Sequence, residues 1–220
     1  MEIDKLLGAL AQTTDEEIGL KALEALSEAR SVSSLRPEAL RPRLAKFGSV
    51  VQKRAEPLYA RLTPDAAAQK ERLDKQQKSL PAGDVRRGQL VFNSAKVACV
   101  SCHSIGYLGG KVGPDLTRIG AIRAQRDLLE SILYPSASFV QSFEPLIVET
   151  ADGDVHAGIV RKNDADEVVL ITGPEQEVRL ARKDVLEMRP GAVSIMPAGL
   201  DQQLSPQELA DLLAFLGACK

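Results

Sequence analysis

Residues 96–106 read KVACVSCHSIG, and place two of the chain's three cysteines and one of its two histidines within five residues. A Cys-x-x-Cys-His run sets two thiols one helical turn apart, with an imidazole directly after them. That spacing suits two thioether bonds to the vinyl groups of one haem, with the histidine as an axial iron ligand. Two other chemistries use cysteines at this spacing. A redox-active dithiol sits in a βαβ context, whereas the flanks here read as helix and glycine-rich loop. Structural zinc takes four ligands, and the only other candidates are His156 and Cys219. The cluster therefore reads first as the attachment site of one covalent haem c per chain, on Cys99 and Cys102, with His103 as iron ligand.

The neighbouring residues agree with that reading. GGKVGPDL follows His103 closely, and Gly109, Gly110 and Gly113 let backbone lie near a flat group. The carbonyl of Pro114 could accept a hydrogen bond from the second imidazole nitrogen, which would fix the ring's orientation. Gly113 and Pro114 thus join the expected cofactor-binding set. A sixth iron ligand has few sources. Met196 lies in SIMPAGL, a proline-punctuated loop before the last helix; Met188 ends a strand-like run, Met1 is terminal, and His156 follows an Asp-Gly turn. Met196 is the expected ligand, and a thioether there raises the haem potential and closes the iron to outside ligands.

Composition excludes several other functions. A formal net charge of −2 supplies no basic field for nucleic acid. Only 4% of the 220 residues are aromatic and none is Trp, so base-stacking surfaces are not expected. No run of about 18 apolar residues is present, so no membrane span is expected. The first residues, MEIDKLLGALAQTTDEE, carry acids where an export signal carries basic residues and a long apolar run.

Periodicity divides the chain. Residues 1–80 read as helices followed by a linker. The first helix opens on a capping-box pattern from Thr13 or Thr14 to Glu16 or Glu17, with Ile18, Ala22, Ala25 and Leu26 recurring at helical spacing and Leu20 and Leu23 widening the stripe. A second helix starts near Pro37 with Leu40 and Leu44 inward, Gly48 breaks it, and a third follows. A fourth, capped by Thr63 and Pro64, is charged almost all round and reads as a solvated face or linker. Residues 81–139 hold a short helix capped by Asp84, the cysteine cluster, and an amphipathic helix with Leu128, Leu129, Ile132 and Leu133 inward, ended by Pro135. Residues 140–190 alternate as five short strands, with turns at Asp152-Gly153, Asp164–Asp166 and Gly173-Pro174. They suggest a small closed or nearly closed antiparallel barrel. Residues 145–190 carry 10 acids against 6 bases, which makes this the most acidic segment. Residues 191–220 return to helix, with Ser205 as cap, Pro206 in first position and Glu208 closing a capping box.

Four stretches together carry a family resemblance: GQLVFNSAKVACVSCHSIG, GGKVGPDLTRIG, RDLLESILYPSASF and SIMPAGLDQQLSPQELADLLAFL. They resemble successive pieces of a class I c-type cytochrome, and best the planctomycete–verrucomicrobial type of haem-binding domain, over about residues 82–218. The resemblance implies a mainly α fold, interrupted by the β segment between the third helix and the methionine loop. It implies haem c on Cys99 and Cys102, His103 as proximal ligand and Met196 as distal ligand. It also implies packing of the first helix (Gly88, Phe92) against the last (Leu212, Phe215). Residues 1–62 resemble a degenerate HEAT-type helical repeat. Members of the family are usually parts of longer secreted chains, so the expected setting is periplasmic or otherwise exported, these residues being a piece of a longer exported protein. Cys219 is an extra cysteine, expected to be an unpaired thiol.

The function these features imply is single-electron transfer between a partner dehydrogenase, separate or fused, and a redox acceptor, without catalysis by the chain itself. An alternative is a haem enzyme or sensor whose distal ligand is absent or displaceable. A third reading makes the β segment a partner- or carbohydrate-binding element, although Phe143 is its only aromatic residue.

Overall fold

The structure, a computed structural model, describes residues 13–28, 37–62 and 66–220. The chain divides into two compact units, residues 1–70 and 71–220. The expectations for Met1, Thr63 and Pro64 lie outside the described residues.

The first unit contains α1 (Glu16–Glu28), α2 (Pro37–Ala45) and α3 (Ser49–Leu62). Its α1 starts one residue after Asp15, whose carboxylate accepts from Glu17 N at 2.8 Å and Ile18 N at 3.2 Å. Asp15 is therefore the cap, in place of the expected Thr13 or Thr14, because its short carboxylate reaches the first free N–H groups directly. The buried stripe of α1 is Gly19, Leu23 and Leu26, while Ile18 is 44% exposed. Phe47 sets this rotation: a Cβ on Gly19 would lie 2.6 Å from its ring, so only the bare glycine face accepts it. Leu40 and Leu44 are fully buried, and Gly48 (φ +91°) separates α2 from α3.

The next helix, α4 (Ala66–Ser79), crosses the division between the units. Leu73, in its second half, is buried in the core of the second unit.

That unit adds α5 (Val85–Asn93), α6 (Cys99–Cys102), the hairpin β1 (Ser104–Ile105) and β2 (Leu108–Gly109), α7 (Ile119–Ile122) and α8 (Gln125–Leu133). After the sheet come α9 (Leu200–Gln203) and α10 (Pro206–Ala218). The caps follow the sequence. Asp84 accepts from Arg87 N at 2.9 Å, and Ser205 and Glu208 bond reciprocally with Pro206 first in α10. One apolar core joins Val91, Phe92, Leu129, Leu133, Leu209, Leu213 and their neighbours. At its centre α5 crosses α10 at backbone contact: a Cβ on Gly88 would lie 1.9 Å from Asp211 O. Beside that crossing, Phe92 and Phe215 stack tilted with centroids 5.6 Å apart. The buried Asp211 carboxylate takes both ends of the Arg87 guanidinium, at 2.7 and 2.9 Å, and the N–H of Asp84. Such a bidentate pair fixes register between helices as much as it stabilises them.

Residues 140–190 form one antiparallel sheet of β3 (Pro145–Thr150), β4 (Val155–Asn163), β5 (Glu167–Gly173), β6 (Gln176–Ala181) and β7 (Val185–Pro190). The strand order is β6-β5-β4-β3-β7. The turns lie where expected: Gly153 (φ +86°) follows Asp152, and Asp164 accepts from the N–H groups of Asp166 and Glu167. The expected barrel does not close. A 3-10 turn at Arg182–Asp184 leads the chain away from β6, and β7 pairs with β3, which leaves β6 and β7 as opposite edges. One apolar face gathers Val148, Val168 and Leu170 with Val160, Val178, Leu180, Val185 and Met188. The exposed charges of β4 to β6 pair with one another, Arg161 with Glu177 and Lys162 with Asp164 and Glu167. The chain is thus a mixture of helices and one open five-stranded sheet. Among the described residues no helix is long and apolar enough to cross a membrane.

Candidate cofactor site

Ala98 takes a left-handed conformation (φ +45°) that turns the chain sharply into α6, a single turn spanning both cysteines. So short a helix leaves its carbonyl groups without helical partners. The loop after β2 supplies them: Gly110 N donates to Val100 O at 2.8 Å, and Val112 N and Gly113 N donate to Cys102 O at 3.0 and 2.8 Å. Glycines are needed because the two backbones nearly touch. A Cβ on Gly110 would lie 2.0 Å from Ser101 O, and one on Gly113 would lie 2.4 Å from His103 Cε1. Asp115 holds the hairpin to this loop, accepting from Ser104 Oγ at 3.1 Å and Thr117 N at 2.7 Å. Hydrogen bonds from Thr117 keep the Asp115 carboxyl below its ordinary pKa.

His103 is fixed by one contact: Nδ1 lies 2.8 Å from the carbonyl oxygen of Pro114. A carbonyl only accepts, so Nδ1 carries the proton and Nε2 keeps its lone pair. Burial pushes the imidazole pKa down, against the opposing pull of the Pro114 bond. The ring is therefore neutral at pH 7, with Nε2 as the nitrogen open to a ligand.

The cysteines are free of disulfides. Burial pushes the Cys99 thiol up to about 11, which keeps it protonated at neutral pH. A dithiol redox switch needs the opposite, a thiolate stabilised by cationic or helix-dipole surroundings. Among the described residues no three His, Cys, Asp or Glu side chains converge as a metal-binding group. Cys99, Cys102 and His103 thus do not converge as the ligands of a tetrahedral zinc site do.

Five of the six expected residues, Cys99, Cys102, His103, Gly113 and Pro114, come together in this one loop system. Met196 arrives from far along the chain and packs, partly buried, against the apolar core that Cys99, Val100, Ile105, Leu116 and Leu200 also border. Its loop is pinned through a short chain of hydrogen bonds: Ser194 N donates to Ser136 Oγ at 3.0 Å, and Met196 N to Ser194 Oγ at 3.1 Å. The other candidate ligands belong to the sheet. Met188 lies in its apolar face with Sδ 3.0 Å from Arg182 Nη1, and His156 sits on β4 opposite Val148. A neutral imidazole with a free Nε2, two thiols one turn apart and a thioether bordering the same apolar core as Cys99 are the donor types that a covalently held haem uses. The Val100 and Cys102 carbonyl acceptors, Ser136 and the left-handed Ala98 were not found by motif reading; only the folded chain reveals them.

Comparison with protein-family models and with curated proteins returns no match for this chain.

Proposed function

We propose that residues 71–220 form a mono-haem c-type cytochrome unit, of the planctomycete–verrucomicrobial class I type, that passes single electrons between a dehydrogenase and a redox acceptor. The observation that carries this reading is the bond from His103 Nδ1 to Pro114 O, which leaves Nε2 free directly after two thiols one turn apart. When bound, haem supplies a one-electron iron couple. Cys99 and Cys102 tether it, His103 ligates through Nε2, and Pro114 holds that ring in orientation. Gly113 leaves the imidazole edge uncrowded, and Met196 offers a thioether. The apolar core behind Cys99 keeps water away from the site.

The contact of Gly88 with α10 and the stacking of Phe92 on Phe215 support the class I arrangement, with the sheet as an insertion before the methionine loop. The helices α1 to α3 described in the first unit suit the HEAT-like reading. Covalent haem attachment takes place outside the cytoplasmic membrane, so the proposed setting is periplasmic or exported, with a redox partner or fused dehydrogenase domain.

The test is haem retention on a denaturing gel after co-expression with haem-maturation machinery. Wild-type protein keeps its haem, and Cys99→Ser/Cys102→Ser loses it. A wild-type protein stripped of haem by denaturation overturns the reading.

A further inference from the structure

Helix α4 carries charge almost all round, yet its second half is docked onto the second unit by polar contacts. Arg72 Nη2 pairs with Asp201 Oδ2 at 2.5 Å, and its guanidinium stands 5.8 Å from the ring centroid of Tyr134. Asp74 pairs with Arg126 at 2.6 Å, and Leu73 between them enters the core. The Arg72 pair is lopsided: the Asp201 side chain is 7% exposed and that of Arg72 46%. The second Asp201 oxygen, Oδ1, is buried without a hydrogen-bond partner. One half-exposed arginine is thus the ion partner of a carboxylate removed from water.

Asp201 lies in α9, which starts directly after Gly199 (φ +83°) closes the Met196 loop. The loop therefore has two anchors, Ser194 on Ser136 before Met196 and Asp201 on Arg72 after it. Both reach the C-terminal end of α8, where Tyr134 and Ser136 sit.

We propose that Arg72 is a positioning residue for the Met196 loop: by neutralising the buried Asp201 carboxylate, it holds α9 down and keeps the thioether at the cofactor site. The inference rests on the haem reading with Met196 as ligand. Without Arg72 the carboxylate is a buried, uncompensated charge, and a buried ion pair broken on one side is strongly destabilising. The nearest relief is for α9 to swing into solvent, carrying the loop with it.

The test uses the full haem-loaded chain as wild type, Arg72→Met, Arg72→Lys, Arg72→Met/Asp201→Asn and Met196→Ala. It reads the methionine–iron charge-transfer absorbance of the oxidised protein, carbon monoxide association with the reduced protein, and helix content by circular dichroism. Arg72→Met is expected to lose the methionine band and to bind carbon monoxide about 100-fold faster, with helix content unchanged. Arg72→Lys and the double variant recover most of the wild-type signal, the latter because the buried charge is gone. Wild-type band and rate in Arg72→Met overturn the proposal, as does a double variant no better than Arg72→Met. Should Arg72→Met fail to fold, a folded double variant with the methionine band supports the proposal and one without it overturns it. A band that survives Met196→Ala removes the underlying ligand assignment, in a variant that leaves Arg72 untouched.

Discussion

The loop that carries His103 and the loop that carries Met196 are held in different ways. On the histidine side, residues 99–117 are closed by short backbone hydrogen bonds within the segment itself, and three glycines bring the strands into near contact. On the methionine side, the segment around Met196 depends on Ser136, in the turn after α8, and on Arg72, in α4. Local closure makes a site that cannot adjust. Long-range anchoring makes one whose position is set by an equilibrium, and whose occupancy can be shifted in steps.

Substitutions at Gly113, Gly88 and Ser136 sharpen or break this contrast. Gly113→Val forces a side chain onto the His103 ring, where even a Cβ would lie 2.4 Å from Cε1. The expected result is an all-or-none loss of histidine ligation, with at least a 100-fold fall in the fraction of low-spin haem read by absorption. A normal spectrum in that variant breaks the claim that the histidine side is rigid. Gly88→Ala tests the scaffold beneath both loops. Its Cβ would meet Asp211 O at 1.9 Å, and unfolding in denaturant is expected to show a loss of about 3 kcal/mol, with both ligand signals lost together. Signals lost at separate denaturant concentrations would show that the two loops do not share this support. Ser136→Ala removes one anchor hydrogen bond, and carbon monoxide association is expected to rise only about fivefold. An effect as large as that of Gly113→Val would end the distinction between the loops.

Acid offers a further check on the scaffold. Arg87 holds the Asp211 carboxyl well below the usual carboxylate range, and Lys96 with the Ser205 cap holds Glu208 down to about 2. Carboxylates with depressed folded-state pKa values favour the folded form above their unfolded values. Their contribution is whole above about pH 5 and lost as pH falls from about 4 toward 2. Thermal unfolding followed over that range is expected to show a falling midpoint, with a shallower fall in Lys96→Met.

The difference between the loops also explains what the sequence disclosed. Cys99, Cys102, His103, Gly113 and Pro114 were legible because their contacts span few residues, and local spacing encodes local geometry. The capping box of Ser205 and Glu208 was legible for the same reason. Met196 was singled out by the scarcity of methionines, which names a candidate but not what anchors its loop. Arg72 and Asp201 look like any charged residues on polar helices, and only the fold brings them together. The barrel expectation failed similarly: strand count and turns are local, whereas the choice of β3 as partner for β7 is not. The face of α1 turned away from Ile18 because Phe47, in the turn after α2, selects the side where Gly19 offers room.

The central claim is that this chain carries one covalent haem ligated by His103 and Met196. The absorption spectrum of the purified protein, oxidised and reduced and then exposed to carbon monoxide, tests it most directly. The account predicts a low-spin c-type spectrum in both states, a methionine–iron band in the oxidised form, and slow carbon monoxide uptake at neutral pH. Absence of a c-type haem spectrum would contradict it, and so would rapid formation of a carbon monoxide adduct.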